Sequence, residues 1–304
     1  MRASLIKAGI IAALLALLPG CSALRLAYGN APQLAWWWLD GYVDFSAEQT
    51  PRAKDQIDRF FEWHRTTQLG DYAALLALAQ ADVMQPATPA QACRWQQQMR
   101  DRVEPALDQA LQMGATLVPG LGEAQFRHIE RRFAKGNDEM KRDYLQPDPE
   151  ERRKAAVDRT LERVEQLYGR AGEAQRRVVA EGVAASPFDP QAWLGERLRR
   201  QRDTLQTLRR LVAQKADRDQ TVAALRVLVE RAERSADPDY RAYQVKLADY
   251  NCAFAARIHN AATPEQRATA RDRLRGWEED LRAIAAGTPQ RPVAALSGAL
   301  SGAP

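Results

Sequence analysis

The sequence predicts an all-α fold: a multi-helix bundle of about eight to ten amphipathic helices without a β-sheet. Apolar residues recur at helical spacing along most of the chain, as in the stripe formed by Val157, Leu161, Val164 and Tyr168. Such a stripe indicates a helix that turns one face toward a core. No Asn-Gly or Asp-Gly turn lies between two strand-like runs. A helix-start motif that recurs along the chain is the third observation in favour of this fold.

Residues 1–20 predict a lipoprotein signal peptide. A short basic segment precedes an unbroken apolar run at 8–18. The run is shorter than the roughly 20 apolar residues of a transmembrane helix and suits a secretory signal. It ends in LPGC at 18–21, which resembles a bacterial lipobox. The resemblance implies cleavage before Cys21 and lipidation of its thiol; an ordinary signal peptide before an unmodified cysteine is the alternative.

Ser22 follows the predicted lipidation site. By resemblance to sorting signals of Gram-negative bacteria, the absence of Asp at this position implies the outer membrane, with the protein on its periplasmic face. The predicted organisation is then a lipidated N-terminus and linker at 21–34 and a helical domain at 35–286. Residues 287–304 have no periodicity and predict a disordered tail.

The run Trp36, Trp37 and Trp38 follows the predicted linker. On a helix, three adjacent side chains spread over about 200°, since each residue turns the helix by about 100°. The three indoles therefore cannot all face one core. We expect one or two to be buried, and one to face a second helix or the bilayer interface, where Trp is enriched. The run is the best candidate for an interaction surface.

A short motif recurs at the expected helix starts: FSAEQ at 45–49, ATPAQ at 87–91, ADRDQ at 216–220 and ATPEQ at 262–266, with looser copies LGEAQ at 121–125 and AGEAQ at 171–175. It has the chemistry of a capping box. A Ser, Thr or Asp side chain accepts a hydrogen bond from a free N–H of the first turn, and the Gln three residues later reaches back. The motif therefore predicts local helix starts and no activity.

Cys93 and Cys252 are the cysteines that remain beside Cys21. An oxidising periplasm permits a disulfide between them. Two separate buried thiols, which behave as small hydrophobes, are the alternative. Sequence alone does not give their distance, so both interpretations stay open.

No recognisable catalytic or metal-binding pattern is present. The histidines are His64, His128 and His259, and none forms HExxH or another i, i+4 metal pair. A Cys252–His259 nucleophile is disfavoured, because seven helical residues separate the two by about 10 Å. Basic runs such as Arg152–Lys154 could attract anionic lipid headgroups or acidic clients. Acidic residues are interleaved with them, however, which is more typical of a solvated, mixed-charge helix face. We predict no catalytic residue, no metal site and no cofactor.

The charge balance argues against nucleic acid as a partner. The chain carries 44 basic and 39 acidic residues, a net charge of +5. Removing residues 1–20 takes away Arg2 and Lys7, which leaves 42 against 39, or +3. That is weak for a nucleic-acid-binding protein. The predicted partners are the membrane, through the lipid at Cys21, and an unknown protein partner or client.

Two family resemblances rest on specific segments. The lipobox combines with RLAYGN at 25–30, WWWLDGYVDFSAEQ at 36–49, FFEWHR at 60–65, LGDYAALLALA at 69–79 and HNAATPEQRATARDRLRGWEEDLRAIA at 259–285. This arrangement resembles a family of uncharacterised proteobacterial lipoproteins, which implies an all-helical protein without assigned activity. More locally, TPEQR at 263–267 resembles the Leu-Thr-x-x-Gln motif of small periplasmic stress chaperones, which implies binding of unfolded clients.

The predicted function is that of a non-enzymatic outer-membrane lipoprotein, a helical scaffold that binds a protein partner or client. The alternatives are a chaperone-like envelope-stress protein and an enzyme acting on cell wall or lipid with a site built from scattered residues. A deep cleft with converging polar groups would favour the enzyme, and an open apolar groove would favour the binding protein.

Overall fold

The computed structural model describes residues 23–287, in which twelve α-helices, one short 3-10 helix and no strand are found. The helices are α1 (Ala23–Gly29), α2 (Ala31–Val43), α3 (Thr50–Thr67), α4 (Leu69–Asp82), α5 (Pro89–Leu117), α6 (Glu123–Tyr144), α7 (Pro149–Tyr168), α8 (Glu173–Ala184), α9 (Pro190–Ala213), α10 (Arg218–Glu233), α11 (Pro238–Asn260) and α12 (Pro264–Ala285). The predicted all-α class is confirmed. The predicted signal peptide, Cys21 and the tail from residue 288 lie outside the described residues.

The helix count exceeds the expected eight to ten because α1 lies where a linker was expected and because breaks of a single residue divide neighbouring helices. Asn30 separates α1 from α2, and Gln68 separates α3 from α4. Pro32 lies in the first turn of α2, where a proline can begin a helix but cannot continue the preceding one. Such one-residue breaks do not interrupt a hydrophobic period.

The predicted linker at 21–34 is wrong from residue 23 onward, because these residues form α1 and the start of α2. Arg25 Nε donates to Asp280 Oδ1 of α12 over 2.7 Å, and the Tyr28 hydroxyl lies 2.9 Å from His64 Nδ1 of α3. These polar contacts hold a helix of only seven residues against the domain. The helical domain therefore begins at Ala23, not at residue 35.

Reciprocal capping boxes are present at Thr88, Asp217 and Thr263. At Ser46 the backbone N–H donates to Gln49 Oε1 over 2.9 Å, but the regular helix begins only at Thr50. The recurring motif is thus a helix-start device in this fold, and capping accounts for it without a shared chaperone activity.

Glutamines of the same motif also connect helix starts that are distant in sequence. Gln125 Nε2 donates to Gln49 Oε1 over 2.8 Å, and Gln266 Nε2 donates to Gln175 Oε1 over 2.7 Å. Gln175 is fully buried. Each pair joins a helix start near one end of the chain to one in its middle, so the motif contributes to tertiary packing as well as to capping.

The core consists of three apolar clusters. One lies among α4, α7, α8, α11 and α12, a second is built mainly by α6 and α9, and a third joins α2 to α3. Helices α4 and α12 pack along each other. Ala73 of α4 and Ala270 of α12 are both fully buried, and small side chains at a helix contact let the axes approach closely.

Cys93 of α5 and Cys252 of α11 are joined by a disulfide in the structure, with their Cα atoms 5.2 Å apart. That distance is within the usual range for a disulfide. The bond connects residues separated by 159 positions in the sequence, so it ties a helix of the first half of the chain to the next-to-last helix.

Candidate functional site

The three tryptophans lie in different environments, as their adjacent positions on α2 require. Trp36 is 8% exposed, and its ring stacks on Phe45 with the centroids 5.8 Å apart. Trp37 and Trp38 are 61% and 64% exposed. One indole therefore belongs to the core, within the expected one or two, and the other two face outward.

Trp38 is part of a small aromatic surface. Its ring centroid lies 5.0 Å from that of Tyr42, one helical turn later. The guanidinium carbon of Arg132, on α6, lies 5.1 Å from the Tyr42 ring centroid, as in a cation–π contact. We call Trp37, Trp38, Tyr42 and Arg132 the aromatic patch. Trp, Tyr and Arg are the residue types that most often dominate protein interfaces.

A separate groove of about 860 Å³ is lined by α7, the end of α8, the start of α9 and α11. Its floor is apolar and includes Val164, Leu167, Phe254 and Ile258. Aromatic rings of Tyr144, Phe188 and Trp193 meet at one part of its wall, with Tyr144 and Trp193 centroids 5.0 Å apart. The volume is in the range of small-molecule sites, which hold about 300–1,000 Å³.

Four arginines of α7 line this groove: Arg152, Arg153, Arg159 and Arg163. No carboxylate belongs to its lining within the described residues. We therefore call it the arginine groove. Sequence reasoning assigned Arg152–Lys154 to a solvated face and missed the groove, although the spacing of Arg152, Arg159 and Arg163 by seven and four residues puts them on one face of a helix.

The arginines differ in their partners. Arg152 donates to the carbonyl of Gln146, and Arg153 pairs with Glu150 of its own helix. Arg159 Nη1 donates to the Asp143 carbonyl over 2.9 Å, and its guanidinium carbon lies 4.3 Å from the Tyr144 ring centroid. Arg163 is exposed and has no hydrogen-bond or ion-pair partner within residues 23–287.

Two of the histidines form hydrogen bonds with tyrosine hydroxyls, and the third forms one with a backbone carbonyl. His64 lies against Tyr28, and His259 Nδ1 lies 2.7 Å from the Tyr168 hydroxyl. His128 Nε2 lies 3.1 Å from the Gly41 carbonyl oxygen. Since Cys252 is in a disulfide, the Cys252–His259 pair holds no free thiol in this structure. In the described part of the chain, no three His, Cys, Asp or Glu side chains converge as a metal site.

The buried His259 predicts a dependence of stability on pH. Its Nε2–H donates to the Gln85 carbonyl over 2.7 Å, and burial lowers the pKa of its ring below 6.5. Between 6.5 and that lower folded-state pKa, the unfolded chain binds a proton that the folded chain does not. The stabilisation is therefore complete above pH 6.5 and is lost as the pH falls through this interval. Burial lowers the pKa of His64 as well, so His64 acts in the same direction.

We expect urea unfolding between about pH 5 and 8 to show this loss in the wild-type chain and a weaker one in His259→Gln, because the variant lacks one titrating ring. The difference between the unfolding free energies of the wild type and His259→Gln should become smaller as the pH falls. A difference that stays constant over the whole interval would contradict the assignment.

The fold and the surfaces together define an all-helical protein that carries an aromatic patch and an arginine groove. The profile of a family of unknown function (DUF6279) matches residues 41–241. Because this match covers well over half of the chain, the protein belongs to that family. No curated protein and no solved structure shows a significant match. Within the described residues, no helix combines the length and the apolar character that crossing a bilayer requires.

Proposed function

We propose that this protein is a non-enzymatic lipoprotein, anchored by lipid at Cys21 in the outer membrane, which faces the periplasm and binds a protein partner or client. The aromatic patch is the observation that carries the proposal. Trp37 and Trp38 expose about three-fifths of their surface on α2, although the same helix buries Trp36 in the core. Trp38 beside Tyr42 and Arg132, with Trp37 exposed one position earlier on the same helix, has the composition of an interface centre.

The surroundings of the patch support this proposal. Leu26 and Leu34 are also exposed, so four large apolar side chains face solvent within residues 26–38. This stretch begins five positions after the proposed anchor at Cys21. A partner bound there would be held close to the membrane surface. The Cys93–Cys252 disulfide is consistent with an oxidising compartment such as the periplasm.

The polar groups of the domain favour binding over catalysis. Within the described residues, His64 and His259 are engaged with tyrosines, and Cys93 and Cys252 with each other. The arginine groove is lined by neither a carboxylate nor a histidine or cysteine among these residues. Acid–base or nucleophilic chemistry needs such groups within reach of one another.

We expect Trp37→Ser to weaken capture of a protein partner at least tenfold, since exposed Trp residues at interface centres contribute about 2 kcal/mol or more. Its melting temperature should change little, because surface substitutions usually alter stability by about 0.5 kcal/mol or less. The measurement is crosslinking in intact cells from a photoreactive residue placed at position 33, which is exposed on α2 one helical turn before Trp37 and outside the patch, followed by identification of the adducts.

Trp277→Ser is the matched control, since Trp277 is 38% exposed on α12, outside the patch. The Trp277→Ser variant should capture the protein partner as well as the wild type does. Equal protein capture by the wild type, Trp37→Ser and Trp277→Ser would overturn the proposal. Adducts with lipid alone, lost in Trp37→Ser, would instead assign the patch to the bilayer surface.

A further inference from the structure

We propose that the arginine groove binds an anionic amphiphile, with a hydrocarbon chain on the apolar floor and an anionic head on the arginines of α7. The groove and the aromatic patch have no residue in common, so this inference goes beyond the proposed function and does not depend on it. It rests on charge complementarity at the rim and on the chemistry of the floor.

The rim carries positive charge that the protein itself does not neutralise. Of the four arginines, Arg153 alone has a carboxylate partner among the described residues. Arg152 and Arg159 donate to backbone carbonyls, which orients their guanidinium groups without removing the charge. Arg163 has no partner within residues 23–287 and is exposed. Three cations on one helix face attract an anion, and guanidinium groups bind carboxylate and phosphate with paired hydrogen bonds.

The floor matches a hydrocarbon chain. Val164, Tyr168 and Ile258 are buried beneath it, and Leu167 and Phe254 pack against the same core cluster. Burial of one methylene group favours binding by about 0.8 kcal/mol, or roughly fourfold in affinity. A chain of a dozen or more methylenes on this floor can therefore supply most of the affinity, while the arginines select the charge of the head group.

The floor is less suited to an extended peptide. Its walls are helices, whose backbone groups are bonded within each helix, and the Thr160 hydroxyl already donates to the Ala156 carbonyl. An extended peptide needs a row of free backbone partners, as on the edge of a sheet. A hydrocarbon chain needs none, so the groove favours a lipid.

The test uses the full-length lipidated protein in phosphatidylcholine nanodiscs with photoactivatable palmitate as the probe. Mass spectrometry of the crosslinked peptides measures labelling of residues 247–258, which line the groove from α11. We expect unlabelled palmitate and lysophosphatidylglycerol to compete at least tenfold better than lysophosphatidylcholine, because the first two carry a net negative charge. The two anionic competitors separate a free carboxylate from a phosphate head group as the source of the ligand.

Two variants and two controls complete the experiment. Arg163→Gln should reduce labelling about tenfold, because it removes a charge-assisted hydrogen bond, whereas Arg177→Gln, an exposed arginine of α8 outside the groove, should not. Ala255→Trp should block the groove for every lipid, and Ala180→Trp, on the exposed side of α8, should leave labelling intact. Circular dichroism and melting identify any variant that fails to fold, and Ala255→Trp and Arg163→Gln act through different parts of the site.

Equal competition by the anionic and zwitterionic lipids, or labelling unchanged in both Arg163→Gln and Ala255→Trp, would overturn the proposal. Specific crosslinking of a photoreactive acidic amphipathic peptide to residues 247–258, without any specific palmitate labelling there, would overturn it in favour of a protein ligand. Trp37→Ser should label like the wild type, which separates this result from the outcome for the aromatic patch.

Discussion

Replacing Cys93 and Cys252 together by Ser is expected to lower the free energy of unfolding by about 2–5 kcal/mol. The bond links α5 to α11 over 159 positions of sequence, so its loss releases a long loop in the unfolded chain. Helix α5 has one buried residue, Ala115, among its 29, and Pro105 lies in its interior. Its other core-facing apolar side chains, such as Met113 and Leu117, are only partly buried, so we expect the bond to contribute to holding this helix against α11.

The measurement is urea unfolding of the oxidised wild type, the reduced wild type and the double variant. The last two should unfold at the same, lower urea concentration. Hydrogen exchange should show α5 losing protection before α4 and α12, since regions with few buried contacts open at lower free energy. Coincident unfolding of all three proteins would mean that the bond does not stabilise the fold.

Gly182→Ala is expected to lower the free energy of unfolding by about 1–3 kcal/mol, the usual effect of inserting a methyl group into a packed core. Gly182 is buried on α8, and a Cβ atom there would lie 2.1 Å from Cε2 of Phe254. The Gly182 carbonyl also accepts a hydrogen bond from the Tyr250 hydroxyl over 2.5 Å, which holds α8 against α11. The phenyl ring of Phe254 must move, and that ring lines the arginine groove.

Gly195→Ala is the matched control, because Gly195 lies on an exposed part of α9 and a Cβ atom there meets nothing within 4 Å. This substitution should raise stability by about 0.5–1 kcal/mol, since alanine is the better helix former. Thermal or urea unfolding of both variants measures the two effects. Changes of the same sign would show that steric conflict with Phe254 does not govern position 182.

Local signals in the sequence were sufficient for the fold class and for several helix starts. The boxes at Thr88, Asp217 and Thr263 begin helices at the predicted positions, because capping involves residues three positions apart. Helix α1 was missed, since it is held by contacts with Asp280 and His64, which are remote in sequence. No local pattern reports such contacts.

In the candidate sites too, the features set by local sequence were predictable and those set by contacts remote in sequence were not. The width of the Trp36–Trp38 arc follows from helix geometry alone, and the sequence correctly indicated that the three indoles could not share one core. Which of them is buried depends on Phe45 and on the packing of α2 against α3. The arginine groove was not visible, because α7, α9 and α11 meet only in the folded chain. Helical periodicity is sufficient to place Arg152, Arg159 and Arg163 on one face of a helix, but it does not show that an apolar floor lies beside that face.

The pairing of α4 with α12 has a consequence for biosynthesis. Leu69 begins α4 and Pro264 begins α12, so 195 residues (264 minus 69) separate the two starts. At about 5–20 residues per second, the ribosome makes α4 roughly 10–40 s before its partner helix. During that time the side of α4 around Ala73 and Leu75, buried in the finished domain, has no α12 to cover it. A chain terminated before residue 264 keeps that surface open permanently, so premature termination near the end of the gene should produce aggregates or substrates for proteolysis and not a slightly shortened, working protein.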